Sequence, residues 1–315
     1  MKALYVIEQG GLDKLIWGEL ETPAIKADEV LVRVKACAMN RRDVFGREGS
    51  HGMRAQGAYI LGLDLAGDVE AVGAAVTRFK PGDRVLGVAI GGSHAELAKA
   101  NQGDLQPIPD GMSYAEAAAI PTVYTTAWHM LVCRAGLKPG DDVLVMAGGS
   151  GVGTAAIQIA KALSARVITT AGSDDKVAKA KALGADEGIN YNTEDFAERV
   201  KQLTGGEGVD IVFEHIGVSV WEKCFASLKR GGRFIPCGVT TGHKVQLHLG
   251  RLMTRDLSIM GTMMNPREDL APVMKLISRG VFRPVIHATF PISKAAEAHK
   301  VMEEGNFFGK IVLTI

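Results

Sequence analysis

Residues 142–161 read Asp142-Val-Leu-Val-Met-Ala-Gly-Gly-Ser-Gly-Val-Gly-Thr-Ala-Ala-Ile-Gln-Ile-Ala-Lys161. The run 143–146 is short and apolar, which is typical of a buried parallel strand. A glycine-rich turn ends the run, and small and apolar residues then recur at helical spacing as far as Leu163. Strand, glycine turn and helix together predict the start of a dinucleotide-binding βαβ unit, because backbone N–H groups at the new helix N-terminus can hold a pyrophosphate.

The turn itself supplies the predicted pyrophosphate contacts, which are Gly148, Gly149, Ser150, Gly151, Val152 and Gly153. Its motif is imperfect, since Ser150 stands at the second glycine of a G-x-G-x-x-G pattern. Two alternatives are an ordinary strand–helix turn and a membrane span, since 143–160 carries no charge. Glycines in the middle weaken a spanning helix, and a second strand-like run at 166–170 favours the dinucleotide-binding interpretation.

Composition and charge indicate an ordinary globular protein. The 315 residues suffice for two domains, and the formal net charge of +1 predicts neither a nucleic-acid nor a membrane partner. The N-terminal segment meets Glu8 before a signal-peptide core could form, so a cytoplasmic location is expected. Four cysteines lie far apart without a C-x-x-C pair, which predicts free thiols: Cys37, Cys133, Cys224 and Cys237.

Two patterns of secondary structure divide the chain. Residues 1–119 are rich in short strands, with predicted strands at 3–7, 29–36, 61–72, 84–88 and 94–98. From about 140, strands alternate with helices, including a helix 194–203 capped by Thr193, which predicts an open parallel sheet with helices on both faces. From 263 the pattern changes to helices at 267–278 and 292–303 and an extended tail at 309–314.

Several blocks in one order resemble the medium-chain dehydrogenase/reductase superfamily, in its zinc-free quinone oxidoreductase (zeta-crystallin-like) branch. They are Gly67–Gly73, Phe79–Val85, Ala117–Pro121, Gly151–Lys161, Ala182–Asp186 and Gly309–Leu313. The resemblance implies an α/β protein with a GroES-like β-rich catalytic domain at 1–119 and 263–315. It also implies a Rossmann dinucleotide-binding domain with a doubly wound parallel sheet at 120–262, and a homodimer joined through the sheet edge near 257–260.

The resemblance also implies that no catalytic metal is bound. Zinc-dependent relatives carry a histidine where Leu63 stands, and leucine cannot bind a metal. The cysteine-rich lobe that holds their structural zinc is replaced by the short segment 89–94. Cys37 lies near one ligand position but lacks partners in the sequence pattern.

The cofactor is predicted to be NADPH. The second strand ends uncharged at 169–172, whereas an NAD site normally has an acidic residue there. The Ser173 hydroxyl and the Lys176 ammonium suit a 2′-phosphate, and Tyr191 matches a phosphate-contacting tyrosine of the family. The alternatives are that Ser173 caps a helix and Lys176 is a surface charge, or that Asp174 or Asp175 reaches a ribose.

Further site residues follow from the resemblance. Asn40 and Asp43 are expected beside the nicotinamide, with Asn40 donating to a substrate carbonyl and Asp43 fixing its loop, while Tyr59 lines the pocket mouth or merely packs. The remaining cofactor contacts are expected at Thr126 (or a helix cap there), Gly217, Gly238, Val239 and Thr240, with Lys310 near the adenosine phosphate. His215 is a candidate proton donor.

Three functions remain open from the sequence. The first is a zinc-independent, NADPH-dependent reductase that transfers hydride to a quinone or to the activated C=C of an enone. The second is an enoyl-thioester reductase. The third is an NADPH-binding structural or regulatory protein without turnover.

Overall fold

The structure is a computed structural model that describes residues 1–262 and 267–315. It contains two compact units. Unit 1 comprises Met1–Thr122, Leu270–Ser278 and Pro284–Ile315, and unit 2 comprises Val123–Asp269 and Arg279–Arg283. The predicted boundary at 263 falls outside the described residues, and the assignment of the units to catalysis and dinucleotide binding stays a prediction.

Unit 1 is built on β-sheets. Its strands, numbered in chain order, are β1 (Lys2–Val6), β2 (Ile16–Glu19), β3 (Glu29–Ala38), β4 (Tyr59–Ile60), β5 (Asp64–Val72), β6 (Arg84–Val88), β7 (Leu97–Asn101), β8 (Leu105–Pro107), β15 (Ile286–Pro291) and β16 (Lys310–Thr314). The main sheet has the order β15-β16-β3-β5-β6-β8, with β7 also paired to β3, and a small sheet has the order β2-β1-β4. β3 is central and nearly fully buried, which explains its apolar sequence.

Unit 2 holds one six-stranded parallel sheet. Its strands are β9 (Asp142–Val145), β10 (Arg166–Ala171), β11 (Glu187–Asn190), β12 (Val209–Glu214), β13 (Leu228–Pro236) and β14 (Ser258–Ile259), in the order β11-β10-β9-β12-β13-β14. The strand order reverses between β9 and β12, and such a point is where α/β sheets bind their ligands. The predicted Rossmann architecture is therefore confirmed, and β9, the strand that precedes the glycine-rich turn, lies in the middle of the sheet.

Ten α-helices are assigned in the described residues: α1 (Arg41–Glu48), α2 (Tyr114–Ala118), α3 (Pro121–Trp128), α4 (Gly151–Ala162), α5 (Asp174–Ala182), α6 (Phe196–Leu203), α7 (Trp221–Ala226), α8 (Leu249–Thr254), α9 (Arg267–Ser278) and α10 (Ala295–Glu304). α3 continues into a π-helical turn, His129–Arg134. Among the described helices, none has both the length and the apolar character that crossing a bilayer requires.

Several sequence predictions need correction. α6 begins at Phe196 rather than 194, because the Asp195 carboxylate, and not Thr193, accepts the N–H of Ala197 at 3.0 Å. The strand predicted at 94–98 begins only at Leu97, since the His94 N–H bonds to the Leu61 carbonyl instead. The sequence prediction also lacked β2, β4, β8, β15, α1 and α8.

Candidate functional site

The glycine-rich turn of unit 2 joins β9 to α4. Ser150 is the N-cap of α4, and its Oγ accepts the Gly153 N–H at 3.0 Å. The serine that breaks the glycine motif therefore has a structural role, and its φ of −73° needs no glycine. The six residues predicted to contact the pyrophosphate form this turn and the first turn of α4, where N–H groups lack intrahelical partners.

Close packing explains two of the glycines. A Cβ at Gly148 would lie 2.1 Å from the Thr169 Oγ1, and a Cβ at Gly153 would lie 2.5 Å from the Ala147 carbonyl oxygen. The Thr169 hydroxyl donates in turn to the Val145 carbonyl at 2.8 Å, which ties β10 to β9. The turn is thus pressed against the sheet and has no room for side chains at these positions.

Gly148→Ala is expected to lower the free energy of unfolding by about 1–3 kcal/mol, because the new methyl group overpacks the turn against Thr169. Chemical denaturation measures this change. The matched control is Gly261→Ala, where an added Cβ meets no described atom within 4 Å. A Gly148→Ala protein as stable as wild type would contradict this account of the turn.

The residues predicted to hold a 2′-phosphate come together at the end of β10. Ser173 caps α5 by accepting the Lys176 N–H at 3.3 Å, which is the predicted alternative role, and its hydroxyl proton remains a donor. A Cβ at Gly172 would lie 2.6 Å from the Tyr191 hydroxyl, so this phenol lies against the same turn. Burial lowers the pKa of the Lys176 ammonium.

The two acidic residues of this turn have other partners. The Asp174 carboxylate accepts from the Asn190 side chain at 2.7 Å, and the Asp175 carboxylate pairs with Lys179 at 2.7 Å. A ribose hydroxyl would therefore have to compete with these contacts for the two carboxylates.

The carboxyl end of β12 lies beside the glycine-rich turn that follows β9, because β12 and β9 are neighbours in the sheet. The His215 Nε2 is 3.0 Å from the Met146 carbonyl oxygen and 3.2 Å from the Ser150 Oγ. The ring therefore bridges β12 and the glycine turn, and this positioning role fits the geometry better than proton donation. Burial raises the pKa of the neighbouring Glu214 carboxyl, which accepts the N–H groups of Ile216 and Gly217.

The later predicted cofactor contacts also lie together. A Cβ at Gly217, which has a φ of +102°, would be 2.5 Å from the Gly242 carbonyl oxygen and 3.1 Å from the Val239 Cα. A Cβ at Gly238 would be 2.5 Å from the His215 carbonyl oxygen. Gly217, Gly238 and Val239 therefore form one close-packed rim, which Thr240 continues as an exposed residue.

Thr126 lies within α3 and does not cap it, so the helix-capping role considered for it in the sequence does not apply. Its side chain is 5% exposed, and in the described structure its Oγ1 has no hydrogen-bond partner. A buried hydroxyl without a partner is costly, so this atom is a candidate contact for a bound ligand.

The second cluster lies in unit 1 and centres on Asp64. One carboxylate oxygen accepts the Thr122 N–H at 2.8 Å and also the Thr122 hydroxyl. The other accepts from the Asn40 Nδ2 at 2.9 Å and from the Lys310 Nζ at 3.1 Å. The side chains of Asp64 and Lys310 are 0% and 4% exposed, so this is a buried ion pair.

The placement of Lys310 corrects the role predicted for it. Its ammonium also donates to the Met39 carbonyl at 2.7 Å and to the Asn40 Oδ1 at 2.8 Å, so all three N–H groups have oxygen acceptors. A buried ammonium engaged in this way does not fit a contact with an adenosine phosphate. Its contacts instead fix Asn40, whose amide oxygen faces Lys310 and whose nitrogen faces Asp64.

Asp43 completes the cluster from α1. Its carboxylate accepts the Asn40 N–H at 2.7 Å and the Gly62 N–H at 3.1 Å, and Asn40 is the N-cap of the helix. This geometry agrees with the predicted role of Asp43 in fixing the Asn40 segment. Tyr59 packs its ring edge against Gly46, where an added Cβ would lie 2.9 Å away, as the packing alternative predicts.

The burial of Asp43 predicts a pH effect on stability. Burial raises the pKa of its carboxyl to about 6 from its usual value of 3.8, while the Asn40 N–H and Lys310 oppose the shift. Between these values the folded protein binds the proton more tightly than the unfolded chain does. The contribution of Asp43 to stability is therefore largest at low pH and falls as the pH rises through this window.

We expect the stability difference, wild type minus Asp43→Asn, to decrease between about pH 4 and pH 7 and then to stay constant. Urea denaturation of both proteins at several pH values measures this difference in unfolding free energy. The contributions of the other titrating groups are the same in both proteins and cancel in the difference. A difference that grew with pH would show that the carboxyl is held ionised in the folded state.

The residues at the position of the family's catalytic zinc do not fit a metal. Cys37 is fully buried, and burial raises the pKa of its thiol well above the usual range. Asp64 already pairs with the Lys310 ammonium, and Leu63 offers no ligand atom. Sequence reasoning missed this network, although Asp64 directly follows Leu63, which was compared with a zinc ligand, and Thr122 directly follows the block Ala117–Pro121.

Comparisons with known proteins agree with the fold. The chain matches the alcohol dehydrogenase GroES-like domain at residues 26–130 and the zinc-binding dehydrogenase model at residues 151–279. It is 32% identical to a quinone oxidoreductase of Sus scrofa, over 100% of this chain and 98% of the relative.

Two solved structures match this chain over its full length and over the full length of their own chains. One is an NAD-dependent alcohol dehydrogenase, with 39% identity and a TM-score of 0.94. The other is the Escherichia coli quinone oxidoreductase complexed with NADPH, with 28% identity, a TM-score of 0.92 and 100% coverage of each chain. The chain belongs to the quinone oxidoreductase family of the medium-chain dehydrogenase/reductase superfamily.

Proposed function

We propose that this protein is a zinc-independent reductase that uses NADPH to reduce a quinone or the activated C=C of an enone. The observation that carries the proposal is the buried network in which Asp64 and Lys310 hold the Asn40 amide in one orientation. An ammonium lies beside the carboxylate that would otherwise bind a metal, so the polar group offered here is a fixed amide. One Asn40 Nδ2 hydrogen is bound to Asp64, and the other makes only a long contact of 3.5 Å with the Ala38 carbonyl oxygen, so in this proposal the second hydrogen is the donor that stabilises an enolate or hydroquinone anion as it forms.

NADPH supplies the hydride when it is bound. In this proposal the turn at 148–153 binds the pyrophosphate, while Ser173, Lys176 and Tyr191 bind the 2′-phosphate. The named relatives differ, since one is described as NAD-dependent and the other as complexed with NADPH. The cluster at the end of β10 favours NADPH, because it presents an ammonium and two hydroxyl groups while its carboxylates have other partners.

The substrate class is tested by following NADPH oxidation with 1,4-benzoquinone, an enone and crotonyl-CoA. We expect the quinone or the enone to give the highest kcat/KM. A much higher value for crotonyl-CoA would instead identify an enoyl-thioester reductase. NADPH binding without turnover of any of the three would contradict an enzymatic function and favour the structural or regulatory one.

We also propose that the protein forms a homodimer through the β14 edge of the parallel sheet. Ile259 on this edge strand is 39% exposed, and Leu249 and Met253 on α8 are 68% and 77% exposed. These residues are close in sequence, and such exposed apolar side chains are typical of an interface. A cytoplasmic location stays a prediction from the N-terminal sequence.

Met253→Lys combined with Leu249→Lys is expected to convert a dimer into a monomer, because two ammonium groups would have to be buried at the interface. Sedimentation velocity measures the oligomeric state of the wild type and of the variants. The matched control is Val281→Lys, at an apolar residue that is 44% exposed elsewhere in unit 2. A wild-type protein that sediments as a monomer would contradict the proposal.

A further inference from the structure

Three potential metal ligands meet in unit 2, at residues that the proposed reaction does not use. His129 and Cys133 lie four positions apart on the π-helical turn, and Asp269 lies in the first turn of α9. The His129 Nδ1 is 2.8 Å from one Asp269 carboxylate oxygen, and the Cys133 Sγ is 3.4 Å from the other. All three ligand atoms lie within 4.8 Å of one another, the one such group found in the described residues.

The separations suit a small thiophilic cation. Around a tetrahedral Zn²⁺ with ordinary bond lengths, pairs of nitrogen, sulfur and oxygen ligands lie about 3.4–3.6 Å apart. The His129–Asp269 separation of 2.8 Å is shorter than this range, the Cys133–Asp269 separation of 3.4 Å lies at its lower end, and His129 and Cys133 are within 4.8 Å of each other. Side-chain rotations would therefore have to adjust these separations for the three atoms to occupy three corners of the tetrahedron. Imidazole, thiolate and carboxylate are all ligands that zinc accepts in proteins.

Burial and charge also favour a cation. The Asp269 side chain is 5% exposed and that of His129 is 20% exposed, whereas Cys133 is exposed. A carboxylate is therefore held inside, while the thiol side of the cluster opens to solvent and leaves an entry path. Glu268 is close enough to act electrostatically on Cys133, which adds a second negative charge to the surroundings.

The backbone carrying two of the ligands is itself unusual. π-helical turns are rare and occur mostly at functional sites. Here the turn 129–134 presents a histidine and a cysteine to the same carboxylate. At neutral pH the thiol holds its proton, since burial and then the Asp269 hydrogen bond raise its pKa to about 11, so a bound ion has to displace that proton.

We propose that His129, Cys133 and Asp269 bind a divalent cation of the Zn²⁺ class, with water in the fourth position. The ion links the π-helical turn to the start of α9 and acts as a clamp in unit 2. This site is separate from the Asn40, Asp64 and Lys310 network, which lies in unit 1. Hydride transfer does not require the ion.

The test is a calorimetric titration of chelator-treated full-length protein with Zn²⁺, together with alkylation of Cys133 by iodoacetamide followed by peptide mass spectrometry. We expect one saturable site per chain, at least tenfold slower alkylation of Cys133 with Zn²⁺ present, and a higher Tm. Cys133→Ser, His129→Ala and Asp269→Asn should each weaken binding at least tenfold. His243→Ala, at an exposed histidine outside the cluster, should leave binding unchanged.

Cys133→Ser is the most conservative of the three changes, and circular dichroism checks that each variant is folded. The proposal is overturned if wild type binds no Zn²⁺ saturably, if Cys133→Ser binds it equally well, or if Zn²⁺ does not slow alkylation. Because no outcome depends on turnover, failure here leaves the proposed reductase function untouched.

Discussion

Lys310→Met is expected to lower the free energy of unfolding by about 3–5 kcal/mol, because it leaves the Asp64 carboxylate buried without its cation. Methionine preserves most of the side-chain length, so lost packing contributes little. The same change removes the donor to the Asn40 Oδ1, which frees the amide to turn. We therefore also expect kcat to fall in whatever protein remains folded.

The matched control is Lys35→Met. Lys35 pairs with Asp68 at 3.9 Å, and the two side chains are 41% and 33% exposed, so this change should cost about 0–1 kcal/mol. Adding Asp64→Asn to Lys310→Met removes the unpaired charge and should recover part of the lost stability. Chemical denaturation measures all of these variants. If Lys310→Met cost no more than Lys35→Met, the buried network would not have the importance assigned to it.

Lys176→Glu is expected to lower kcat/KM for NADPH by about 100-fold or more while changing the value for NADH by less than about threefold. A hydrogen bond to a charged group contributes about 1.5–3 kcal/mol, or roughly 10–150-fold, and reversing the charge adds repulsion of the 2′-phosphate. Only NADPH carries this phosphate. The comparison of the two cofactors therefore separates its recognition from general damage to the protein.

Lys179→Glu serves as the control on the same helix. Lys179 is paired with Asp175, and its side chain is 54% exposed, so its replacement should alter both cofactors only slightly. Initial rates at varied cofactor and saturating acceptor give the values. Equal losses for NADPH and NADH in Lys176→Glu would show that Lys176 does not recognise the 2′-phosphate.

Unit 2 could be predicted from the sequence because its parallel strands are buried on both faces. Such strands appear as continuous apolar runs, as at 143–145, where all three side chains are fully buried. The glycine turn was identified by its residue types. Ser173 caps α5 and the Tyr191 hydroxyl lies against Gly172, while binding of a 2′-phosphate by Ser173, Lys176 and Tyr191 stays a prediction. Thr193 was wrongly predicted as a cap, because it lies only two residues before Asp195 and threonine is also a capping residue, although aspartate is the more strongly preferred of the two.

Unit 1 was harder to predict because its key contacts are long-range. Lysine is normally exposed, and the burial of Lys310 depends on Asp64, which lies 246 residues earlier in the chain. α1 was missed since Arg41, Arg42 and other charged residues obscure any apolar face, although Asn40 and Asp43 have capping-box spacing. The distances that define the Asn40 orientation could come only from the folded structure.

The most direct test of the central claim is the ratio of kcat/KM for NADPH to that for NADH, measured with one quinone acceptor after removal of metals by a chelator. The account predicts at least about a tenfold preference for NADPH, which corresponds to one charge-assisted hydrogen bond, with turnover retained in the absence of zinc. Equal values for the two cofactors, or activity that returned only with added zinc, would contradict it.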